Sequence, residues 1–339
     1  MDGVIRVLVV DDSAYIRKVV RQMLSRSPFI EVVGIARDGE EALELAEQLR
    51  PDVITLDLMM GGMDGLAFLR AQMARRPIPV VVISIANEGG EQALAALDAG
   101  AVDFVQKPTA LATEKVYEIS DVLIEKVKAA AQARLGRAPD APAAPGPARK
   151  LGLDIVVIGV STGGPQALKH LIPLLPASLP VPVAIVMHMP IGYTELYARK
   201  LDELSALEVV EARDGDAVAA GRVLLAPAGR HLRLLRGPSG VVARLDAQPA
   251  DTPHRPSVDV LFRSAAEAYG QRVLGVVLTG MGTDGQQGCA WIKAKGGAVW
   301  TESEESCVIY GMPRAVDEAL LSDRRLPLNA LAPALVEVV

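Results

Sequence analysis

Five short aliphatic runs, IRVLVV, EVVGIA, DVITLD, PVVVIS and AVDFVQ, alternate with helical patterns such as EEALELAEQL and EQALAALDAG over the first 130 residues. The runs are predominantly apolar rather than apolar at every second position. That is the signature of a strand covered on both faces, and strands alternating with helices predict a parallel sheet. The pattern returns after residue 151 with DIVVIGV, PVAIVMHM, RVLGVVLTG and GAVWTE. Half of the 339 residues are hydrophobic but only 4% are aromatic, so both cores must be aliphatic. Between the halves, residues 133–150 are biased to Ala, Pro and Gly and have nothing large to bury, which predicts a semi-extended spacer. The chain therefore divides into an α/β domain over 1–130, a linker over 131–151 and a second α/β domain over 152–339. Both domains are expected to be doubly wound parallel sheets. Turn signals and short strands over 207–246 predict a short antiparallel excursion in the second.

The formal charge of −6 argues against a general nucleic-acid binder, which needs a basic face. No apolar run reaches the ~18 residues of a membrane span. The N-terminus turns acidic where a secretory leader needs an apolar core. Cys289 and Cys307 lack metal-type spacing. These features predict a cytoplasmic protein with no nucleic-acid partner and no membrane insertion.

In open α/β sheets functional groups gather at the carboxyl ends of the strands. In the first half those ends carry Asp11 and Asp12, then Asp57, then Ser84, then Lys107. Converging carboxylates repel unless a cation neutralises them, and an all-oxygen set suits Mg²⁺. A carboxylate beside Mg²⁺ and a lysine is also a nucleophile toward a phosphoryl group. Solvated strand-end charges would explain any one of these residues, but not all five in register. VLVVDDS, DVITLDLMMGGMDG, VVVIS and GAVDFVQKP resemble a response-regulator receiver domain of flavodoxin-like fold. The resemblance implies that Asp57 accepts the phosphoryl group and that Asp11, Asp12 and Asp57 hold Mg²⁺. It further implies that Ser84 and Phe104 form the switch pair and that Lys107 contacts the acyl phosphate. Gly61 stands where receivers usually have proline, and SIANEGG after the fourth strand is unusual.

In the second half, VIGVSTGGPQAL admits two readings. Its glycines could cradle a phosphate at a helix N-terminus; equally, Gly159 to Gly163 fits G-x-S-x-G, a turn that exposes a serine nucleophile. A nucleophile needs a base and an orienting acid. His188 in AIVMHMP and Asp284 in LTGMGTDG each follow a core-type strand, as Ser161 does. Singly, His188 reads as a structural residue and Asp284 as a helix cap. Together, three successive strand ends bearing Ser, His and Asp favour the nucleophile. Thr162 and Met281 are candidate oxyanion donors through their backbone N–H groups. The Ser…His…Asp order differs from the α/β-hydrolase order, and neither G-x-G-x-x-G nor a Walker motif is present. His231, His254 and Arg255 have default structural or loop readings, Ser257 reads as a helix N-cap, and Met187 and Met189 as packing around His188.

GVSTGGPQAL, VMHMP, LLAPAGRHLRL, HRPSVDVLFRSAAEAYG and LTGMGTDG closely resemble the catalytic domain of chemotaxis response-regulator methylesterases, a Rossmann-like α/β hydrolytic domain. With the receiver ahead of it, the resemblance spans nearly the whole chain. It implies a Ser161–His188–Asp284 triad that hydrolyses glutamate γ-methyl esters on methyl-accepting chemoreceptors and also deamidates glutamines. It implies phosphorylation by a sensor histidine kinase, with the unphosphorylated receiver restricting access to the triad. Mg²⁺ would serve the receiver, and no cofactor the hydrolytic step. The competing expectation is a catalytically inactive, phosphorylation-switched binding module.

Overall fold

The computed structural model describes residues 3–84, 90–107, 115–135, 150–238 and 240–339. Most of the expected linker, 136–149, and the 85–89 segment after the fourth strand lie outside the described residues. The chain forms two compact units, Met1–Gly136 and Arg137–Val339.

In the first unit the elements run β1 (Ile5–Val10), α1 (Ala14–Leu24), β2 (Ile30–Ala36), α2 (Gly39–Leu49), β3 (Val53–Leu56), α3 (Gly65–Arg75), β4 (Val80–Ser84), α4 (Gly90–Asp98), β5 (Asp103–Gln106) and α5 (Lys115–Ala130). The five strands form one parallel sheet in the order β2-β1-β3-β4-β5, which is the flavodoxin-like winding. Interior strands β3 and β4 are buried at every position, whereas edge strand β2 mixes buried and exposed residues. This is why the interior runs read as unbroken Val/Ile/Leu. Helix starts are set by short polar caps: Asp38 accepts the Glu41 N–H and Asp64 the Ala67 N–H. Val10 pairs with Leu56, and the Asp57 N–H donates to the Val10 carbonyl at 2.9 Å. That register brings the chain just after β1 beside the chain just after β3.

The second unit runs β6 (Ile155–Val160), α6 (Gly164–Leu171), β7 (Val183–Met187), α7 (Thr194–Asp202), β8 (Glu208–Glu211), β9 (Arg222–Leu225), β10 (His231–Gly237), β11 (Gly240–Asp246), α8 (Val258–Tyr269), β12 (Val273–Val277), α9 (Gln286–Ala294), β13 (Ala298–Glu302), α10 (Met312–Glu318), β14 (Arg324–Leu326) and α11 (Leu328–Val338). Seven strands form a parallel sheet ordered β14-β13-β12-β6-β7-β9-β8. The antiparallel excursion is narrower than the turn signals over 207–246 suggest. β8 and β9 join the main sheet in parallel, and only β10 and β11 form a separate antiparallel pair. That pair has an apolar face to bury, and Leu232, Leu234, Ala243 and Leu245 share a core with Leu261, Phe262 and Ala265 of α8. Removing one such leucine side chain costs about 2–5 kcal/mol, from lost burial plus the cavity left behind. From β6 the chain winds outward through β7, then returns to lay β12 on the other side of β6. The sheet thus has a topological switch point at β6, where ligand crevices open. Among the described residues no helix is long and apolar enough to cross a membrane.

Candidate active site and receiver pocket

In the first unit, Asp11 and Asp57 are almost fully buried, and Lys107 spans them, its Nζ 2.7 Å from Asp11 Oδ2 and 2.8 Å from Asp57 Oδ2. Backbone geometry aims the lysine: its N–H donates to the Ser84 carbonyl at 2.7 Å, fixing the chain as it leaves β5. Burial pushes the Asp57 carboxyl above its ordinary range, and the Lys107 ammonium only partly offsets that. Burial likewise disfavours the Lys107 charge, but the two carboxylates outweigh it and hold the ammonium above its ordinary value. Asp12 is exposed, yet a ligand oxygen from each of Asp11, Asp12 and Asp57 lies within 4.8 Å of the others. Three hard oxygen donors, two of them buried, make a fitting Mg²⁺ site. Ser84 and Phe104 are buried on neighbouring strands, with Phe104 opposite Val82 and Ser84 opposite Gln106. Gly61 has open space where a Cβ would sit, so the missing proline is not a packing requirement.

In the second unit, Val160 of β6 pairs with Met187 of β7, and the His188 N–H donates to the Val160 carbonyl at 3.1 Å. Ser161 and His188 are therefore the next residues along two adjacent strands. On the other side of β6, the Ser161 N–H donates to the Thr279 carbonyl just beyond β12. Gly280 lies so close that a Cβ there would be 2.8 Å from Ser161 Cβ and 2.5 Å from Met312 Sδ. Gly163 has φ +81°, and a Cβ there would meet Val308 at 2.6 Å. The turn is thus packed against its neighbours on that side. The phosphate-cradle reading gains no support from it.

Asp284 completes the group. Its Oδ2 is 2.8 Å from His188 Nε2, and both side chains are close to buried. The carboxylate also accepts the Ser257 hydroxyl at 2.9 Å and the Val258 and Asp259 N–H groups at 2.8 and 3.0 Å. It therefore sits on the N-terminus of α8, where backbone donors and the helix dipole favour negative charge. Burial pushes this carboxyl up, but the His188 contact and the N–H donors outweigh it and hold it well below the usual carboxylate range. Asp284 thus contacts the imidazole and caps α8, not the helix that follows it, α9, as its sequence position suggests. It uses Nε2 of the imidazole, so Nδ1 is the nitrogen the carboxylate leaves unengaged. Nδ1 is buried and carries no hydrogen bond among the described residues.

Thr162 is buried and its carbonyl accepts the Thr279 hydroxyl at 3.0 Å. Met281 follows Gly280, whose carbonyl accepts the Gly311 and Met312 N–H groups at 3.0 and 2.8 Å. Ser257 marks the start of α8, but its hydroxyl serves Asp284 rather than its own helix. His231 is fully buried; its Nδ1 accepts the Ser257 N–H at 3.1 Å, and burial lowers its pKa, keeping it a neutral structural acceptor. The His254 ring stacks on His188 with centroids 4.0 Å apart. Sequence reading gave Asp259 no role. Its carboxylate accepts the Gly285 and Gly288 N–H groups at 2.9 and 2.6 Å, so it caps α9 as Asp284 caps α8. Burial and the facing Asp284 charge raise it to about 6. Glu302, fully buried at the end of β13, was also passed over; an acidic residue ending a core strand was the available signal.

Comparison with known proteins identifies the family. A family model described as CheB methylesterase matches residues 156–335, and one described as response regulator receiver domain matches 7–116. A Myxococcus xanthus protein named protein-glutamate methylesterase/protein-glutamine glutaminase 5 is 55% identical over 96% of both chains. A Symbiobacterium thermophilum protein of the same enzyme name is 46% identical, covering 99% of this chain and 97% of the relative. The crystal structure of the Thermotoga maritima CheB methylesterase catalytic domain is similar with a TM-score of 0.54 and 43% identity, covering 55% of this chain and 99% of that one. The chain belongs to the CheB methylesterase family, with a response-regulator receiver domain ahead of its catalytic segment.

Proposed function

We propose that the chain is a phosphorylation-activated serine hydrolase that removes methyl groups from glutamate γ-methyl esters of chemoreceptors and deamidates glutamines by the same route. The single observation that carries the catalytic assignment is the buried His188–Asp284 pair on the strand ends flanking Ser161. Asp284 holds His188 with Nε2 protonated, leaving the Nδ1 lone pair to accept the Ser161 proton. Ser161 Oγ bonds to the ester carbonyl carbon, and the carbonyl π electrons move to its oxygen. The Thr162 and Met281 N–H groups are the donors assigned to that oxyanion. When the tetrahedral adduct collapses, the methoxide leaves with the proton from His188 as methanol. Water, deprotonated by His188, then attacks the acyl-serine; glutamate leaves and Ser161 regains its proton. An amide follows the same sequence with ammonia as the leaving group.

In the receiver, Asp57 is the phosphoryl acceptor. Asp11, Asp12 and Asp57 would hold Mg²⁺, which neutralises charge during phosphoryl transfer. Lys107 takes the position from which an ammonium meets the acyl phosphate, and Ser84 and Phe104 form the switch pair. The phosphoryl donor is a sensor histidine kinase and the substrate a cytoplasmic receptor segment. The assigned division is receiver 1–130, linker 131–151 and catalytic domain 152–339, in a cytoplasmic protein. The test is methanol release from methylated receptor cytoplasmic fragments, by wild type and Ser161→Ala, with and without Mg²⁺ and a small phosphoryl donor. Release should rise with the donor, and the variant should lose at least about 10³-fold. Methanol release that survives Ser161→Ala would exclude this assignment. No release from either protein would favour the inactive, switched binding module.

A further inference from the structure

Glu302 ends β13 with its side chain fully buried. Its Oε2 accepts the Thr279 N–H at 2.8 Å and its Oε1 the Ser306 hydroxyl at 2.9 Å. Among the described residues no lysine, arginine or histidine pairs with it. A carboxylate so placed is costly, because burial penalises the charged form. Its partner Thr279 stands at the centre of the nucleophile's support. The Thr279 carbonyl accepts the Ser161 N–H at 3.0 Å, and its hydroxyl donates to the Thr162 carbonyl and accepts the Ile309 N–H at 2.9 Å. Gly280 and Met281 follow it directly.

We propose that Glu302 is a positioning residue of the hydrolytic site: as a carboxylate it anchors Thr279, and through it the backbone of Ser161, Thr162 and Met281; as a neutral acid it slackens that anchor. The proposal rests on the assignment of Ser161 as nucleophile. A charge-assisted hydrogen bond is roughly twice as strong as a neutral one, so protonation weakens the Thr279 contact without moving any residue away.

The surroundings accommodate both forms. Ser306 Oγ accepts the Leu328 N–H at 3.0 Å, and its own proton has a second acceptor in the Ser303 carbonyl at 3.3 Å. A protonated Glu302 can donate to Ser306 Oγ while the serine proton turns to the Ser303 carbonyl, so neither Glu302 nor Ser306 loses its partners in either state. Two titratable groups on the following segment influence Glu302: the Cys307 thiol, held neutral by burial and by Glu302 itself, and exposed Glu305. The segment just beyond β12 and the start of α11 present Thr279 and Leu328, neither of which titrates. Burial, opposed by the Thr279 and Ser306 donors, raises Glu302 to about 7, so both forms are populated near neutrality.

The test measures kcat and KM for methanol release across neutral pH, using the full chain with Mg²⁺ and phosphoryl donor, for wild type, Glu302→Gln and Ser306→Ala. In the wild type the acid limb should carry an ionisation of Glu302. Glu302→Gln should lack it, with a plateau kcat lowered about tenfold and KM unchanged, because a neutral acceptor replaces the charged one. Ser306→Ala removes a donor to the charged form and should move that ionisation to higher pH. A wild-type acid limb identical to that of Glu302→Gln, or an unmoved step in Ser306→Ala, overturns the proposal. Should Glu302→Gln fail to fold, the Ser306→Ala shift decides alone. Infrared spectra of the same proteins give a readout independent of turnover: a protonated-carboxyl band that titrates near neutrality in wild type and is missing in Glu302→Gln. If that band titrates but wild type releases no methanol, the enzymatic assignment fails; if methanol is released and no such band exists, the role of Glu302 fails.

Discussion

The Asp57 pocket and the Asp284 pocket both lie beyond the carboxyl ends of parallel strands; the first holds two buried carboxylates and the second two half-buried ones. They neutralise that charge by different means. In the first unit a side-chain ammonium does it, with Lys107 Nζ within 2.8 Å of both Asp11 and Asp57. In the second, an imidazole and fixed backbone donors do it: Asp284 meets His188 and the first N–H groups of α8, and Asp259 the N–H groups at the start of α9. A lysine can swing aside for an incoming phosphoryl group or share its carboxylates with a metal. Helix N–H groups cannot leave without unwinding a turn. The first arrangement suits a site whose charge must change, and the second a site that must hold an imidazole at fixed orientation through many turnovers.

Asp284→Asn tests the fixed side of this contrast and has the largest expected effect. Oδ1 and Oδ2 each accept from a backbone N–H, Asp259 and Val258 respectively. Either amide orientation therefore turns an NH₂ toward a backbone donor, and the oriented imidazole is lost with the carboxylate charge. kcat for methanol release should fall on the order of 10³-fold. A loss below about tenfold would mean that the helix terminus alone orients His188.

Lys107→Met tests the exchangeable side. It leaves Asp11 and Asp57 buried together without their cation, and breaking a buried pair in this way costs about 3–5 kcal/mol. The thermal transition of the first unit should move down by several degrees, and added Mg²⁺ should restore part of the loss because the same carboxylates can take a metal. The transition of Asp284→Asn should not respond to Mg²⁺. Equal Mg²⁺ responses in the two variants would remove the distinction between the pockets.

The strands that position these groups were readable because interior parallel strands must be apolar on both faces. IRVLVV is β1 residue for residue, and VIGV runs into Ser161 at the end of β6. That Ser161 and His188 follow adjacent strands was readable for the same reason, since it follows from strand ends at a switch point. Other features depend on long-range partners that leave no local pattern. Nothing in the short strands at 208–211 and 222–225 says that they join the sheet in parallel; that is decided by β7 lying open beside them. Asp259 looks like an ordinary first-turn acid, and only the folded chain brings Gly285 and Gly288 to it. The use of His188 Nε2 rather than Nδ1 toward Asp284 is a ring orientation that no sequence pattern records.

Asp259→Asn is the smallest of these perturbations, and its sign depends on pH. An acid raised from 3.8 to about 6 favours the folded state in its neutral form. Its contribution is fully present below the unfolded value and is lost as pH rises through the folded one. The asparagine carbonyl can keep both N–H contacts, which converge on one oxygen, while the repulsion with Asp284 disappears. Wild type and variant should therefore be equally stable below pH 3.8. They should diverge through about pH 6, with the variant about 1 kcal/mol more stable at neutral pH after allowance for partial solvent screening. Denaturant unfolding at a series of pH values measures this directly. A variant less stable than wild type at neutral pH would mean that the Asp259 charge is needed to hold the α9 N-terminus, and that the second pocket relies on both its carboxylates being ionised.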